Sequence, residues 1–264
     1  MTTDIVLCMK INEKQWIEAI RDGSLCFNRV GYFIEQAEKT GNNEQGDKYE
    51  GVFARVKKTD GRIPAIRNKY ADDLEIVDDD DDDEYVLLRR KSSRNVPIFC
   101  AYGIPKTELS IEEGTIVKQD GEIHARAKYY FPEKMYKGFL DNTTNGINTS
   151  WGFYASSGHW YEAIEKALIE KKLRYSKQII SYDLDLSGDF FVEPNDTYSE
   201  LFHKRCDLSY QHEVRYILPY NLTDTRLVID YEPISEHCAG IAPGALYLEM
   251  NVICEPLPEK EIDK

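Results

Sequence analysis

The sequence predicts an α+β fold in which a mainly antiparallel, mixed sheet is flanked by a few helices. Segments with strand character outnumber helical segments and do not alternate with them, which argues against a doubly wound parallel sheet. Residues 115–118 and 122–128 flank Asp120-Gly121, a dipeptide typical of a two-residue hairpin turn. Aromatic residues make up 12% of the chain and include 18 tyrosines, which also favours sheet. No linker is long enough to divide the chain, so we expect a single domain over residues 1–264.

The elements of the first half follow from local patterns. Residues 14–22 predict a short amphipathic helix that ends at Gly23. The polar residues 35–48 predict a loop, and six consecutive aspartates predict a solvated acidic loop at residues 72–84, because like charges repel one another. The strands expected in this half are residues 25–27, 51–56, 85–88 and 96–104.

The second half contains the clearest helix, residues 160–173, with apolar positions spaced at about 3.6 residues. The polar residues 141–150 predict a linker, and residues 198–204 a short helix. The further strands expected here are residues 178–186, 213–218, 226–231 and 246–253.

The charge of this protein is unevenly distributed. The 264 residues include 33 basic and 47 acidic side chains, and the formal net charge is −14. Residues 72–84 hold ten of the acidic residues and no basic residue, so the remainder carries only −4. Net charge therefore opposes broad attraction to nucleic acid, but it does not exclude a local basic cleft.

Composition excludes several classes of protein. A hydrophobic fraction of 42% is that of a globular chain, and no apolar run approaches the roughly 18 residues of a membrane span. The first residues do not read as a signal peptide, and the six cysteines form no Cys-x-x-Cys pair. We therefore expect a cytoplasmic protein with reduced cysteines, no membrane association and no bound metal, since no set of ligands has metal-site spacing.

The segment with most chemical content is residues 201–218. Gln211, Glu213 and Arg215 alternate with other residues at the start of a predicted strand. Side chains of a strand point alternately to its two faces, so these three should share one face while Val214 and Tyr216 do not. That face is either a cleft wall or a solvent-exposed surface. On an exposed surface, Glu213 and Arg215 would form ordinary cross-strand ion pairs with no chemical role.

Several short motifs resemble a widespread bacterial family of unknown function. They are Tyr-x-x-Glu-x-Arg at residues 210–215, Phe-x-Lys at residues 202–204, Gly-x-Leu-x-Phe at residues 23–27 and Tyr-Glu-Gly at residues 49–51. The similarity follows most of the chain in order. Members of that family often lie beside phage-defence and toxin genes, so the resemblance implies an intracellular role in defence or toxicity.

A second resemblance is carried by Gln211-x-Glu213, which is similar to the Q-x-E motif of ADP-ribosyltransferases. In that family the glutamate stabilises the oxocarbenium ion that develops on the nicotinamide ribose, and the residue two before it positions the acceptor. The resemblance implies an ADP-ribosyltransferase-like fold, NAD as the cofactor, and a nucleic acid or protein as the acceptor. Glu213 and Gln211 would be the catalytic residues.

The same family holds NAD with a basic residue on an early strand and frames the nicotinamide with Ser, Thr or Tyr on a central strand. The resemblance makes Arg29, or instead Lys10, the candidate for the first role. Thr149, Ser150 and Tyr154 are the candidates for the second. The chain departs from the family pattern because it has no Ser-Thr-Ser triplet.

Arg215 has no counterpart in the Q-x-E motif. A guanidinium can nevertheless pair with a pyrophosphate through two parallel hydrogen bonds, so we expect Arg215 to bind the cofactor as well.

Two other functions remain open at this stage. One is a non-enzymatic sensor or inhibitor that recognises a protein partner through residues 72–84, because such a run can mimic nucleic-acid phosphate. The other is a metal-assisted nuclease that uses scattered carboxylates, although the sequence shows no spaced carboxylate motif.

Overall fold

The computed structural model describes residues 4–41, 46–120, 122–135, 137, 143–144, 147–148 and 150–254. Its helices are α1 (Lys14–Arg21), α2 (Val30–Thr40), α3 (Ile63–Tyr70), α4 (Glu133–Met135) and α5 (Ser157–Glu170). Its strands are β1 (Ile5–Glu13), β2 (Ser24–Arg29), β3 (Val52–Lys57), β4 (Leu74–Asp78), β5 (Tyr85–Arg90), β6 (Pro97–Pro105), β7 (Ser110–Ile111), β8 (Val117–Gln119), β9 (Glu122–Tyr130), β10 (Thr143–Thr144), β11 (Ile147–Asn148), β12 (Ser150–Ser156), β13 (Ser176–Ile179), β14 (Ser181–Leu184), β15 (Phe190–Phe191), β16 (His203–Arg205), β17 (Glu213–Ile217), β18 (Arg226–Asp230), β19 (Cys238–Ile241) and β20 (Tyr247–Cys254).

The largest sheet has the strand order β13-β17-β6-β1-β12-β19, and β2, with β18 beside it, also pairs with β6. Smaller sheets have the orders β15-β3-β5-β4 and β20-β9-β7, with β8 also on β9. Among the described residues the pairings are antiparallel except for that of β14 with β16. The expected α+β fold with mostly antiparallel strands is therefore confirmed.

The main core lies between the large sheet and helices α1 and α5. Trp160 of α5 is fully buried, and its ring lies 4.8 Å from Phe153 and 5.7 Å from Phe99, centroid to centroid. The buried positions of α5 are 160, 164, 167 and 168, which are the positions that the sequence periodicity predicted. In α1 the buried positions are Ile17 and Ile20.

Gly23 ends the turn after α1 with a φ of +96°, a conformation that glycine adopts without a steric penalty. A Cβ at this position would lie 2.4 Å from a backbone carbonyl oxygen of residue 231. Strand β2 begins directly after this turn, at Ser24.

Several predicted boundaries differ from the structure. Residues 35–40 belong to α2 rather than to a loop, because Val30, Ile34 and Ala37 form a buried helical stripe. Of the expected loop, residues 42–45 lie outside the described residues. The expected strand at 178–186 is divided between β13 and β14, which belong to different sheets. The expected helix at 198–204 is a single 3₁₀ turn followed by β16.

The acidic segment, residues 72–84, also differs from the solvated loop that the sequence predicted. It begins in a 3₁₀ turn, continues as β4, and reverses direction through residues 79–84. Strand β4 pairs in antiparallel fashion with β5, so five of the thirteen residues of the segment lie in a sheet.

Cations and a tyrosine explain how the acidic turn is tolerated. Asp79 is buried and accepts a hydrogen bond from Arg55 Nε at 2.7 Å. The hydroxyl of Tyr49 lies 2.8 Å from a carboxylate oxygen of Asp79 and 2.8 Å from one of Asp81. Lys48 donates to Asp81 at 3.0 Å. These partners offset the repulsion between neighbouring aspartates, which sequence reasoning treated as unopposed.

A gap in the large sheet positions the functional site. Strand β6 pairs with β1 at residues 102–105 and with β2 at residues 97–98. On that edge, no described strand pairs with residues 99–101, whose opposite edge pairs with β17. Strands β1 and β2 diverge around this point, and α1 joins them.

Candidate functional site

The gap between β1 and β2 opens into a cleft of about 650 Å³. This volume lies within the range of small-molecule sites. Its floor is formed by β6 and β17, and its walls by β1, α1, β2 and α2. Aromatic side chains that line it include Trp16, Tyr32, Phe33, Phe99 and Tyr102. Trp16 and Tyr32 are 41% and 44% exposed, so both rings are accessible from solvent.

Besides Lys10, the alternative early basic residue, four of the residues that the sequence singled out line this cleft. They are Gln211, Glu213, Arg215 and Ser150. All four are buried, with exposed fractions of 5% or less. The alternative of ion pairs on a solvent-exposed sheet surface is therefore wrong, because Glu213 and Arg215 point into the protein.

The geometry of Gln211 differs from the strand that the sequence predicted. Residues 206–211 form a 3₁₀ helix, and His212 has a left-handed backbone with φ of 42°. Strand alternation therefore applies to Glu213 and Arg215 only, and Gln211 reaches the cleft from the preceding turn. Lys204 Nζ lies 3.4 Å from Gln211 Oε1.

The other predicted cofactor-binding residues lie elsewhere. Arg29 forms an ion pair with Glu35 at 2.8 Å near the surface. The hydroxyl of Tyr154 donates to the backbone oxygen of Glu249 at 3.0 Å and borders a second cavity. The structure does not bring Arg29 and Tyr154 together with Glu213. Thr149 lies outside the described residues.

Glu213 is held by two cations. Lys204 Nζ donates to one carboxylate oxygen at 2.6 Å, and Arg215 Nε donates to the other at 2.7 Å. Burial alone would raise the pKa of Glu213, but the charges of Arg215 and Lys204 outweigh it and hold the pKa well below its usual range. Glu213 is therefore ionised throughout the physiological pH range.

Arg215 connects this carboxylate to a second one. Its guanidinium bonds the carboxylate of Glu50 through two nitrogens, with Nη2 at 3.1 Å from Oε2. The backbone oxygen of Leu201 accepts a further hydrogen bond from Arg215. Both Glu50 and Arg215 are buried, so the pair is dry and geometrically fixed.

Sequence reasoning did not assign a role to Glu50 or Lys204, although both stand in the motifs that it quoted. Glu50 belongs to Tyr-Glu-Gly at residues 49–51, and Lys204 to Phe-x-Lys at residues 202–204. Folding brings these motifs together, because Glu50 contacts Arg215 and Lys204 contacts Glu213. The signal that could have found them was the charged residue that each of these two motifs contains.

Asp47 adds a further carboxylate to the cleft wall. It is buried, Oδ1 lies 3.6 Å from Arg205 Nε, and Oδ2 has no hydrogen-bond partner in the described part of the chain. Burial and the neighbouring charge of Glu50 raise the pKa of Asp47 to about 6, against the opposing charge of Arg205. The cleft thus contains one carboxylate, that of Glu213, which is held ionised, and another, that of Asp47, whose pKa is raised to about 6.

The two lysines of the cleft have opposite environments. Burial lowers the pKa of Lys204, but the carboxylates of Glu213 and Glu50 raise it more, and the net shift is upward. Lys10 on β1 donates to the backbone oxygen of Cys100 at 2.5 Å, and burial lowers its pKa. Of the two basic candidates on early strands, Lys10 is the one that lines the cleft.

Comparison with known proteins adds no relative: no family model, no curated protein and no solved structure matches this chain.

Two properties of the described residues bear on metals and membranes. Among them, no group of three or more His, Cys, Asp or Glu side chains is arranged to hold a metal ion. In the same part of the chain, no helix has the length and apolar character needed to cross a bilayer.

Proposed function

We propose that this protein binds NAD in the cleft and cleaves its N-glycosidic bond, transferring ADP-ribose to a nucleic acid or protein. The observation that carries the proposal is that Gln211, Glu213 and Ser150 line one cleft together with Lys10. In this proposal the fold is ADP-ribosyltransferase-like, and the biological role belongs to phage defence or toxin action.

The chemistry requires a fixed negative charge beside the ribose. Cleavage of an N-glycosidic bond passes through a cationic sugar, which a preorganised carboxylate stabilises. Glu213 meets this requirement, because it is ionised and its two carboxylate oxygens are held by Lys204 and Arg215. Lys204 and Arg215 also balance part of its charge. We therefore assign Glu213 a second task, which is to accept hydrogen bonds from the ribose hydroxyls.

The remaining groups of the cleft suit the other parts of NAD. Trp16 and Tyr32 offer accessible aromatic faces on which a nicotinamide or adenine ring can stack. Arg226 lies beside Trp16, with the guanidinium carbon 5.7 Å from the ring centroid. It lines the cleft, where it can meet a pyrophosphate. Arg215 has a different role in this proposal, which is to position the carboxylate of Glu213.

The proposal is tested with labelled NAD. We expect purified protein to bind NAD in calorimetry and to hydrolyse it or transfer ADP-ribose. Glu213→Gln keeps the shape of the side chain, removes its charge and should slow the reaction by ~10²–10³-fold. Glu162→Gln, an exposed position on α5, is the matched control and should leave the rate unchanged.

Gln211→Ala provides an independent variant, since Glu213→Gln also disturbs the ion pair with Lys204. If Gln211 positions the acceptor, its loss should abolish transfer while hydrolysis of NAD persists. Absence of both NAD binding and NAD cleavage in folded wild-type protein would overturn the proposal. Full activity of Glu213→Gln would remove Glu213 from the mechanism.

The alternative function, a non-enzymatic module that binds a partner through residues 72–84, can be tested separately. Asp79 and Asp81 already have internal partners, so a partner would meet mainly the exposed Asp80 and Asp83. A pull-down with Asp80→Asn/Asp83→Asn should lose the partner under this alternative. The Glu213→Gln variant should retain it.

A further inference from the structure

Lys10 occupies an unusual place in the cleft. It stands on β1 next to the stretch of β6 that has no partner on that edge among the described strands. Its ammonium nitrogen donates to the backbone oxygen of Cys100 at 2.5 Å and lies 5.1 Å from the centroid of the Phe99 ring. A carbonyl oxygen and an aromatic face are therefore its close neighbours.

The charged groups nearby do not neutralise Lys10. Among the described residues, no carboxylate lies within ion-pair distance of Lys10. Glu213 forms its ion pairs with Lys204 and Arg215 instead. Burial is the largest influence and lowers the pKa of Lys10, and the charge of Lys204 acts in the same direction. Cys100 and Glu213 oppose this only in part. A lysine that is desolvated beside another cation is an activated amine.

A second cation of the cleft is also without a carboxylate partner in the described structure. Arg226 on β18 lies beside the ring of Trp16 and lines the same cleft. By contrast, Lys204 forms an ion pair with Glu213, and Arg215 forms one with Glu50. An incoming anion would therefore meet Arg226, which leaves the amine of Lys10 for a neighbouring electrophile.

We propose that Lys10 is a nucleophilic amine that forms an imine with an aldehyde or ketone carrying an anionic group. The neutral amine attacks the carbonyl carbon, and a proton passes from nitrogen to the carbonyl oxygen to give a carbinolamine. Loss of that oxygen as water forms the carbon–nitrogen double bond. One amine and one carbonyl compound thus give one imine and one water, with no oxidant or reductant required.

This inference goes beyond NAD cleavage and does not depend on it. The proposed glycosidic step uses Glu213, whereas the imine uses Lys10 and requires no NAD. The two proposals can therefore fail separately.

The test uses glyoxylate, a small anionic aldehyde, with cyanoborohydride to reduce any imine to a stable secondary amine. Peptide mass spectrometry then gives the rate of modification at each lysine near neutral pH. We expect Lys10 to react several-fold faster than the exposed Lys118 and Lys172, since the lowered pKa of Lys10 raises the fraction of its amine that is neutral. The advantage should disappear in urea-unfolded protein.

Two comparisons make the outcome decisive. Arg226→Gln should slow the capture of glyoxylate at Lys10 several-fold but not that of propanal, which has no charge for Arg226 to bind. Equal or slower modification of Lys10 relative to Lys118 in folded protein would overturn the proposal. An equal decrease in the rate of capture of both aldehydes in Arg226→Gln would overturn the proposal that the carbonyl compound carries an anionic group.

Discussion

The arginine at the centre of the buried network allows a quantitative prediction. Arg215 contacts two carboxylates, Glu213 and Glu50, and a backbone oxygen, and it is only 1% exposed. Arg215→Met fills a similar volume but removes the charge and the donors. The variant therefore leaves two buried carboxylates in place of a balanced cluster.

The expected magnitude follows from what each carboxylate retains. Glu213 keeps the ammonium of Lys204 at 2.6 Å, so most of the cost falls on Glu50. Removing one partner of a buried ion pair typically costs ~3–5 kcal/mol. We expect Arg215→Met to lower the free energy of unfolding by that amount, which is a large part of the stability of an ordinary domain.

The assay is urea denaturation followed by tryptophan fluorescence, to which the fully buried Trp160 contributes. Arg62→Met is the matched control, because Arg62 also pairs with carboxylates but its side chain is 55% exposed. An exposed pair of this kind contributes at most ~1 kcal/mol. A loss for Arg215→Met no larger than that of Arg62→Met would refute the reasoning.

A double-mutant cycle isolates the interaction itself. Glu50→Gln combined with Arg215→Met removes both charges of the dry pair, so the double variant should be more stable than the sum of the single losses predicts. Strict additivity of the two losses would show that the pair contributes no coupling energy.

Three further predictions concern other parts of the molecule. Asp79→Asn should lower the free energy of unfolding by ~3 kcal/mol, because it breaks the buried ion pair with Arg55, whereas Asp80→Asn should change it by less than ~0.5 kcal/mol. Equal effects of the two substitutions in urea denaturation would contradict the hairpin geometry. Gly23→Ala should lower the free energy of unfolding by ~3 kcal/mol and Gly114→Ala by ~1 kcal/mol, because both positions have positive φ but only a Cβ at residue 23 would meet a backbone oxygen, at 2.4 Å. The melting temperature of Gly23→Ala should therefore be the lower of the two. The pKa of Asp47 is raised to about 6 in the native state, which then binds a proton more tightly than the unfolded chain, so its contribution to stability is lost as pH rises from about 4 through 6. Relative to Asp47→Asn, the wild type should lose ~2–3 kcal/mol between about pH 4 and pH 7, and parallel pH profiles would exclude the shift.

Local pattern predicted the elements whose residues carry their own signal. The helix α5 and the hairpin of β8 and β9 follow from apolar spacing and from a turn dipeptide, and both are present. Strand β12 was missed, although four of its seven residues are buried. The helical stripe of α2 was hidden among polar residues that suggested a loop.

The candidate site was predicted in part. Gln211, Glu213 and Arg215 were found because they stand close together in sequence, and Ser150 because it resembles part of a motif. For the early basic residue the resemblance offered Arg29, or instead Lys10, without a criterion to choose between them. Which early basic residue borders the cleft depends on where β1 and β2 separate along β6, and sequence spacing contains no information on that.

The sequence by itself determined the class of fold, the positions of helices α1 and α5 and the concentration of acidic residues in one short segment. It did so because periodicity and charge are properties of neighbouring residues. The tertiary structure decided the rest: that the acidic residues are partly paired within a hairpin, that Glu50 meets Arg215 across 165 positions, and that Lys10 lies without a carboxylate beside it in the described structure. Pairing and burial of charges depend on contacts between distant segments, and the free energy of a charge changes most when water is removed from it.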